Sequence, residues 1–309
     1  MAIKKACLVT TRPKNTGKQC DSAMVATSMV VAMDRGLIFD DDDLADPVTW
    51  LTLLIHQKKA FPLFGQKAPI REIKNNKEAD VIVTLDDGTQ VFLRYGVYNR
   101  QLATTQGGLC YAEALQSFLN SGMDLIEIDQ QGQLLARDNG NNTYSPLLTS
   151  FMYGPSPDMA DFKNTPYKNW FAYSFDPTEL VNNGIIFNGA QALMSLQGLI
   201  DASILKAAAA TTTKLKIWVK TTCSEDDLIA KFGATLGSDP TNFYVEDVAV
   251  PGVAVTITGS AIVGSLIELT GTFTSAHTYR VWGTSPETWL GNLIEGYDAS
   301  ENYVDILIP

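Results

Sequence analysis

The clearest pattern in the chain lies at residues 80–95, which read DVIVTLDDGTQVFLRY. Apolar residues recur at every second position on both sides of an Asp87-Gly88 turn, at Val81, Val83, Leu85, Val91, Leu93 and Tyr95. Alternation around an Asp-Gly turn is the strongest short-range signal of a β-hairpin. The sequence therefore predicts two antiparallel strands joined at this turn.

A short helix is predicted after the hairpin, at residues 107–118, which read GGLCYAEALQSF. Tyr111, Leu115 and Phe118 stand at i, i+4 and i+7, which is the apolar stripe of an amphipathic helix. Cys110 lies at the helix start, where a thiol can serve as a nucleophile. A hairpin that leads into a helix is equally suited to the frame of a self-assembling subunit, and these two interpretations compete.

Length and charge limit the classes of function. The chain has 309 residues, a net charge of −11 and 18% charged residues. This length predicts two domains, although one large β-fold is also compatible with it. An acidic surface repels phosphate, so we expect no nucleic-acid binding through a broad basic footprint. DNA could still pass through an acidic lumen.

The cysteines and the N-terminus favour synthesis in a reducing cytoplasm. Cys7, Cys20, Cys110 and Cys223 form no C-x-x-C pair, so neither a disulfide framework nor a zinc site is predicted. No secretory signal is legible, and the longest mostly apolar run, residues 24–33, is too short to span a membrane.

Patterning along the chain predicts three parts: an N-terminal arm or loop region at 1–45, a β-rich core domain at 46–235, and a small β-sandwich at 240–309. Asp46-Pro47 is a typical helix start, with Asp as N-cap and Pro at the first helical position. Residues 191–203 are predicted to be helical, and strands with regular turns follow Asn242. The predicted fold class is α+β, mostly β.

Cys110 is the sharpest catalytic candidate. The run GLCYA at 108–112 resembles the start of the papain-like cysteine proteases. That resemblance implies Cys110 as nucleophile, Gln106 as oxyanion donor and His277 as base. Gln106 stands closer to the cysteine than in that family, and no Asn-Ser-Trp element follows His277. A half-buried cysteine at an ordinary helix–loop junction is the simpler interpretation.

Other candidates have simple structural interpretations. His56 lies near a helix end, and the acidic tract Asp40 to Asp43 lacks the D-x-D-x-D-G pattern of a calcium loop. The aromatic residues Trp282, Trp289 and Tyr297 fit a sugar-binding face, but such residues are more often core. We therefore assign no catalytic, cofactor-binding or metal residue and no cofactor.

The order of hairpin, Gly-rich loop, short helix and hairpin at residues 80–136 resembles the tail-tube fold of bacteriophages. The runs QGGLCYA at 106–112 and LKI at 215–217 through Cys223 add a general likeness to phage virion proteins. This resemblance implies a tail-tube-like β-sandwich or barrel with flanking helices at about residues 60–230. The C-terminal strands are similar to the immunoglobulin-like modules of virion proteins.

These resemblances imply a structural virion protein of tail tube, connector or head, made in a bacterial cytoplasm and acting without catalysis. The expected partners are further copies in a ring, of which a hexamer is one option, and other virion proteins. Residues 1–45 and 154–169 are expected to order on subunit contact. A cysteine-dependent hydrolase using Cys110 and His277, and a module that binds carbohydrate or a host surface, remain the alternatives.

Overall fold

A computed structural model describes residues 4–8, 24–65, 68–105, 108–118, 122–158, 167–196, 202–221, 227–232, 234–284, 288–289, 297 and 302–309. The chain divides into two compact units, unit 1 at Met1–Leu199 and unit 2 at Ile200–Pro309. Both units are built mainly of antiparallel strands, as the predicted mostly-β class requires. The described strands form open sheets, and none of these sheets closes into a barrel.

Unit 1 contains fourteen described strands and three described α-helices. The strands are β1 (Lys4–Leu8), β2 (Thr27–Asp34), β3 (Phe39–Asp40), β4 (Ala60–Phe64), β5 (Glu72–Lys77), β6 (Val81–Thr84), β7 (Gln90–Arg94), β8 (Tyr98–Thr104), β9 (Met123–Asp129), β10 (Gln133–Gly140), β11 (Thr143–Ser145), β12 (Thr149–Asp158), β13 (Lys168–Phe175) and β14 (Gly184–Asn188). The helices are α1 (Pro47–His56), α2 (Gly108–Gln116) and α3 (Pro177–Asn183).

The middle layer of unit 1 is a sheet with the strand order β1-β14-β10-β9-β2-β4, which we call the central sheet. Strand β2 is buried on both of its faces. Met29, Val31 and Met33 pack towards α1, whereas Val30 and Ala32 pack towards a second sheet. Because both faces are covered, the strand is a continuous apolar run without alternation.

The second sheet has the order β12-β13-β8-β5 and covers the other face of the central sheet together with α2. Tyr111 and Leu115 of α2 are buried, as is Phe118 two residues beyond its end, which confirms the predicted apolar stripe. The predicted start of α1 is also confirmed, because the Asp46 side chain accepts a hydrogen bond from the Thr49 amide at 3.3 Å. The packed sheets form the core that carries the hairpin.

Unit 2 is a sandwich of two antiparallel sheets. Its elements are β15 (Ala202–Lys206), β16 (Lys214–Thr221), α4 (Leu228–Phe232), α5 (Ala234–Ser238), β17 (Phe243–Asp247), β18 (Ile257–Val263), β19 (Leu266–Gly271), β20 (Thr278–Gly283) and β21 (Val304–Leu307). The sheets have the orders β15-β16-β19-β18 and β17-β20-β21. Lettered A to G along the chain, these orders are ABED and CFG, the arrangement of constant-type immunoglobulin domains.

A tyrosine corner supports this assignment of unit 2. The Tyr279 hydroxyl, near the start of the sixth strand of the unit, accepts a hydrogen bond from the Thr274 amide at 2.8 Å. A tyrosine at this corner, bonded to the backbone a few residues upstream, is typical of immunoglobulin-like sandwiches. The described strands of unit 2 thus have an immunoglobulin-like order, and the first two of them lie before the segment 240–309 for which the module was predicted.

The structure corrects the predicted domain boundaries. The division falls near residue 200 rather than between 235 and 240, because β16 pairs with β19 about fifty residues further along the chain. Within residues 1–45, which were predicted to be an N-terminal arm or loop region, β2 is a buried strand of the central sheet. Residues 154–158 belong to β12, and residues 159–166 lie outside the described residues.

The predicted helix at 191–203 is wrong. The described chain there has a 3-10 helix at Ala190–Ser195 and enters β15 at Ala202, with residues 197–201 outside the description. Ala190, Leu193 and Leu196 are nevertheless buried against the central sheet. A short 3-10 helix, which is wound more tightly than an α-helix, is sufficient to bury these three side chains. The spacing of the apolar residues alone does not distinguish a 3-10 helix from an α-helix.

Candidate assembly site

The predicted hairpin is the outer half of a longer one. Strand β5 pairs with β8 inside the second sheet, and the chain continues from β5 into β6 and from β7 into β8. The inner half therefore has a sheet neighbour in β13, whereas the described part of the outer half is a sheet of two strands only. We call the outer half, residues 81–94, the arm.

A joint separates the arm from the second sheet. The Glu78 amide donates to the Val97 carbonyl at 3.0 Å, and the Gly96 amide donates to Asp80 Oδ1 at 2.8 Å. Lys77 Nζ lies 3.1 Å from the same carboxylate oxygen. The Gly96 amide, and secondarily Lys77, hold the pKa of Asp80 below its usual value. The joint is thus fixed by specific polar contacts rather than by a continuous strand ladder.

Both faces of the arm are apolar and exposed. Val83 and Val91 are directly opposite each other on one face, where they are 40% and 38% exposed. Ile82 and Phe92 are opposite each other on the other face, where they are 53% and 48% exposed. An irregularity in register follows, because Val81 pairs with Arg94, and the intervening Leu93 is 58% exposed.

This irregularity changes the predicted pattern of faces. Leu93 was predicted to continue the alternation of Val91, but the shift in register makes it an extra residue in β7. A bulge of this kind breaks the strict period of two. The second apolar face does not depend on this bulge, because it is formed by Ile82 and Phe92, which lie between the alternating positions.

Two physical facts make the arm unusual in a monomer. A two-stranded hairpin alone is at best marginally stable in water, and exposed strand edges readily pair with other chains. Contiguous exposed apolar patches generally mark interaction surfaces. The arm combines both features, so it is the strongest candidate for an interface in unit 1.

A cleft of about 460 Å³ lies elsewhere on unit 1. Its walls include Thr27, Met29, Pro69, Ile70, Gln191 and Met194. Among the described residues that line it, several are polar, such as Ser28 and Gln130, and none is charged. The Gln191 amide group donates to the Gln131 carbonyl at 2.9 Å, which holds one wall in place.

A buried polar cluster ties the central sheet to the second sheet. The Glu127 side chain on β9 is fully buried, and its carboxylate accepts hydrogen bonds from the Thr27 hydroxyl at 2.9 Å and from the Tyr173 hydroxyl at 2.6 Å. Arg100 on β8 forms an ion pair with the same carboxylate and also donates to Asn75 at 3.0 Å. Burial raises the pKa of Tyr173 above its usual value. This cluster fixes the base of the hairpin to the core.

The proposed catalytic pair falls in different units, with Cys110 in unit 1 and His277 in unit 2. Cys110 is the third residue of α2, but its side chain and all of Gln106 lie outside the described residues. His277 Nδ1 lies 2.5 Å from Asp247 Oδ2, and this contact is the main reason why the pKa of Asp247 is below its usual value. The hydrolase therefore stays an untested prediction.

The acidic tract and the aromatic residues have structural roles. Asp40 Oδ1 accepts hydrogen bonds from the amides of Asp42 and Asp43. This carboxylate oxygen therefore stabilises its own turn. Trp289 is fully buried and stacks on Tyr297 with centroids 4.0 Å apart. Trp282 is half-buried and stacks on Tyr244 at 4.6 Å. His56 is the last residue of α1, and its side chain lies outside the description.

Within the described ranges, no group of three or more His, Cys, Asp or Glu side chains is arranged to hold a metal ion. Among the helices described, none has the length and apolar character needed to cross a membrane.

Comparisons with known proteins returned no match: no family model, no curated protein and no solved structure is similar to this chain at a significant level.

Proposed function

We propose that this protein is a structural subunit that assembles with further copies of itself through the arm, without catalysis. The observation that carries the proposal is the exposure of apolar side chains on both faces of an isolated two-stranded hairpin. Burial of apolar surface is the main favourable term in most protein association. An arm with two apolar faces buries the most apolar surface when it inserts between surfaces that cover both of these faces.

The arm also favours one kind of assembly. A projecting element that enters a different surface of the next copy makes a heterologous contact, and such contacts close into rings or continue as tubes. Rings and tubes are the forms expected of a virion subunit of the tail tube or a connector. Further virion proteins would then bind the completed ring, and DNA would pass through its acidic lumen. The virion is the proposed location of the mature protein.

The experiment compares the wild-type chain with two arm variants, Val83→Lys on one face and Phe92→Lys on the other. Negative-stain electron microscopy and sedimentation velocity measure assembly over a concentration series. We expect rings or tubes from the wild type, and at least a tenfold higher concentration for assembly of each variant, because a charge must be desolvated in the interface.

The matched control is Ile38→Lys, which places the same charge at an apolar side chain that is 64% exposed outside the arm. This variant should assemble as the wild type does. Wild-type protein that stays monomeric at its highest soluble concentration would contradict the proposal. Arm variants that assemble as readily as the control would also contradict it.

A further inference from the structure

We propose that the outward face of the three-stranded sheet of unit 2 binds a neutral oligosaccharide. This face carries two neighbouring rows of side chains, an aromatic row of Tyr244, Trp282 and Tyr303 and a charged row of Glu246, Arg280 and Asp305. The inference goes beyond the proposed function, because it concerns unit 2, whereas the arm belongs to unit 1.

The aromatic row crosses all three strands. Tyr244 of β17 lies opposite Trp282 of β20, and their rings stack with centroids 4.6 Å apart. Besides joining the two strands, both rings keep part of their surface exposed. Val281 is paired with Val304, and both pack in the core of unit 2. Because successive side chains of a strand point to opposite faces, the next two residues, Trp282 and Tyr303, lie side by side on the outward face.

The charged row is held in place beside the rings. Arg280 donates two hydrogen bonds to Asp305, at 2.8 and 2.9 Å, and its guanidinium group lies 4.2 Å from the centroid of the Tyr303 ring. Glu246 lies opposite Arg280, and its Oε2 accepts a hydrogen bond from the Gly252 amide at 2.9 Å. A carboxylate can accept about four hydrogen bonds, which is more than these contacts use. The row therefore presents fixed hydrogen-bonding groups to a ligand on the rings.

A neutral sugar matches both rows. The face of an aromatic ring is negative and attracts polarised C–H groups, which one side of a pyranose ring presents. The hydroxyl groups at the edge of the sugar donate to carboxylates and accept from a guanidinium group. The charged row contains two carboxylates and one guanidinium group, so it repels phosphate, sulfate and other anions. Charge complementarity therefore favours a neutral sugar over a nucleic acid or an acidic glycan.

The two rows suit a small ligand better than a protein partner. They extend across two strand spacings, about 10 Å, and along two positions of one face, about 7 Å. A stable protein interface buries about 800 Å² on each partner, which is much more than the two rows offer. The cores of such interfaces are also depleted of charged residues, whereas here Arg280 stands on the central strand between two acids.

A glycan array tests the inference with the full chain. The array carries neutral oligosaccharides of glucose, galactose, mannose and N-acetylglucosamine, their sialylated and sulfated counterparts, and glycoproteins before and after deglycosylation. The wild type should bind neutral oligosaccharides, and Trp282→Ala and Tyr303→Ala should each bind them at least tenfold more weakly. Tyr303 is 42% exposed, so its replacement leaves the core of unit 2 intact. Thermal unfolding followed by circular dichroism verifies that both variants are folded.

The matched control is Trp218→Ala, which removes another partly buried indole of unit 2, on β16 in the opposite sheet. Lys220 Nζ lies 4.5 Å from the centroid of that ring, so the control also removes a contact between a cation and an aromatic ring. It should bind as the wild type does. Binding to no neutral oligosaccharide, to acidic glycans only, or to the deglycosylated proteins would overturn the inference. Undiminished binding by either variant, or an equal loss in the control, would overturn it as well.

Discussion

At the scale of single residues, Glu127 carries the most consequential contact in unit 1. Its carboxylate is fully buried and bonded to Thr27, Arg100 and Tyr173, so it joins strands of both sheets. Removing one partner of a buried ion pair leaves the other charge uncompensated. The cluster therefore adds to the stability of the native pairing only while all its members are present.

We predict that Glu127→Gln lowers the free energy of unfolding of unit 1 by about 3 kcal/mol, because Arg100 then lacks its counter-charge. Urea unfolding followed by tryptophan fluorescence measures this change. The control is Glu113→Gln on the exposed side of α2, which should change the free energy by less than about 0.5 kcal/mol. Equal stabilities for the two variants would show that the cluster contributes nothing.

Asp80 gives the joint a dependence on pH. Its carboxylate accepts the Gly96 amide, so its pKa in the folded protein is below the ordinary value of 3.8. A lowered pKa means that this stabilisation is complete above pH 3.8 and is lost as the pH falls through the folded value. The amide shift of Gly96 in ¹⁵N-glycine-labelled protein should therefore titrate below pH 3.8. In Asp80→Asn this titration should disappear, and a midpoint at or above 3.8 in the wild type would contradict the assignment.

At the scale of elements, Gly96 decides whether the joint can form. A Cβ at this position would lie 1.9 Å from the Glu78 carbonyl oxygen, which is far inside contact distance. The backbone at residue 96 can lie this close to the backbone at residue 78 only because glycine has no side chain. The approach in turn allows the hydrogen bond between Glu78 and Val97 that aligns the arm.

We predict that Gly96→Ala separates the arm from the second sheet without unfolding unit 1. Amide exchange measured by mass spectrometry should become faster in residues 81–94 and stay unchanged in β9 and β13. Gly259→Ala is the matched control, since its Cβ would meet Thr270 at an ordinary 3.9 Å. Unchanged exchange in the arm of Gly96→Ala would show that the joint does not hold it.

Local signals in the sequence predicted local elements well. The arm, the capped start of α1 and the stripe of α2 each depend on a few neighbouring residues, and the structure has all three. Strand β2 was missed because a strand buried on both faces shows no alternation, and only the fold reveals its two neighbours. The pairing of β16 with β19 was missed for a related reason, since partners distant in sequence leave no local pattern.

The candidate site was predictable only in part. The hairpin could be predicted from its Asp-Gly turn, but the register shift near Leu93 could not, because it depends on how the two strands pair. The cleft brings together residues from distant parts of the chain, such as Thr27, Ile70 and Gln191. No spacing in the sequence indicates such a site, because its members are joined by the packing of unit 1.

At the scale of the whole molecule, the net charge opposes assembly, whereas the apolar side chains of the arm favour it. Copies that carry −11 each repel one another, whereas the exposed apolar side chains of the arm favour association through apolar burial. Salt screens the repulsion, since the Debye length falls from about 30 Å at 0.01 M to about 8 Å at 0.15 M. Apolar burial is little affected over the same range. The balance should therefore shift towards assembly as the ionic strength rises.

We predict that raising sodium chloride from 0.01 to about 0.15 M lowers the concentration needed for assembly, as measured by light scattering. An interface held by ion pairs would respond in the opposite direction, because salt weakens such pairs. Phe92→Lys should remain unassembled throughout the series, which separates specific assembly from salting-out. Sodium sulfate should act more strongly than chloride at equal ionic strength, since it also strengthens apolar burial. Assembly that weakens steadily with added salt would show that charged side chains, rather than the arm, hold the copies together.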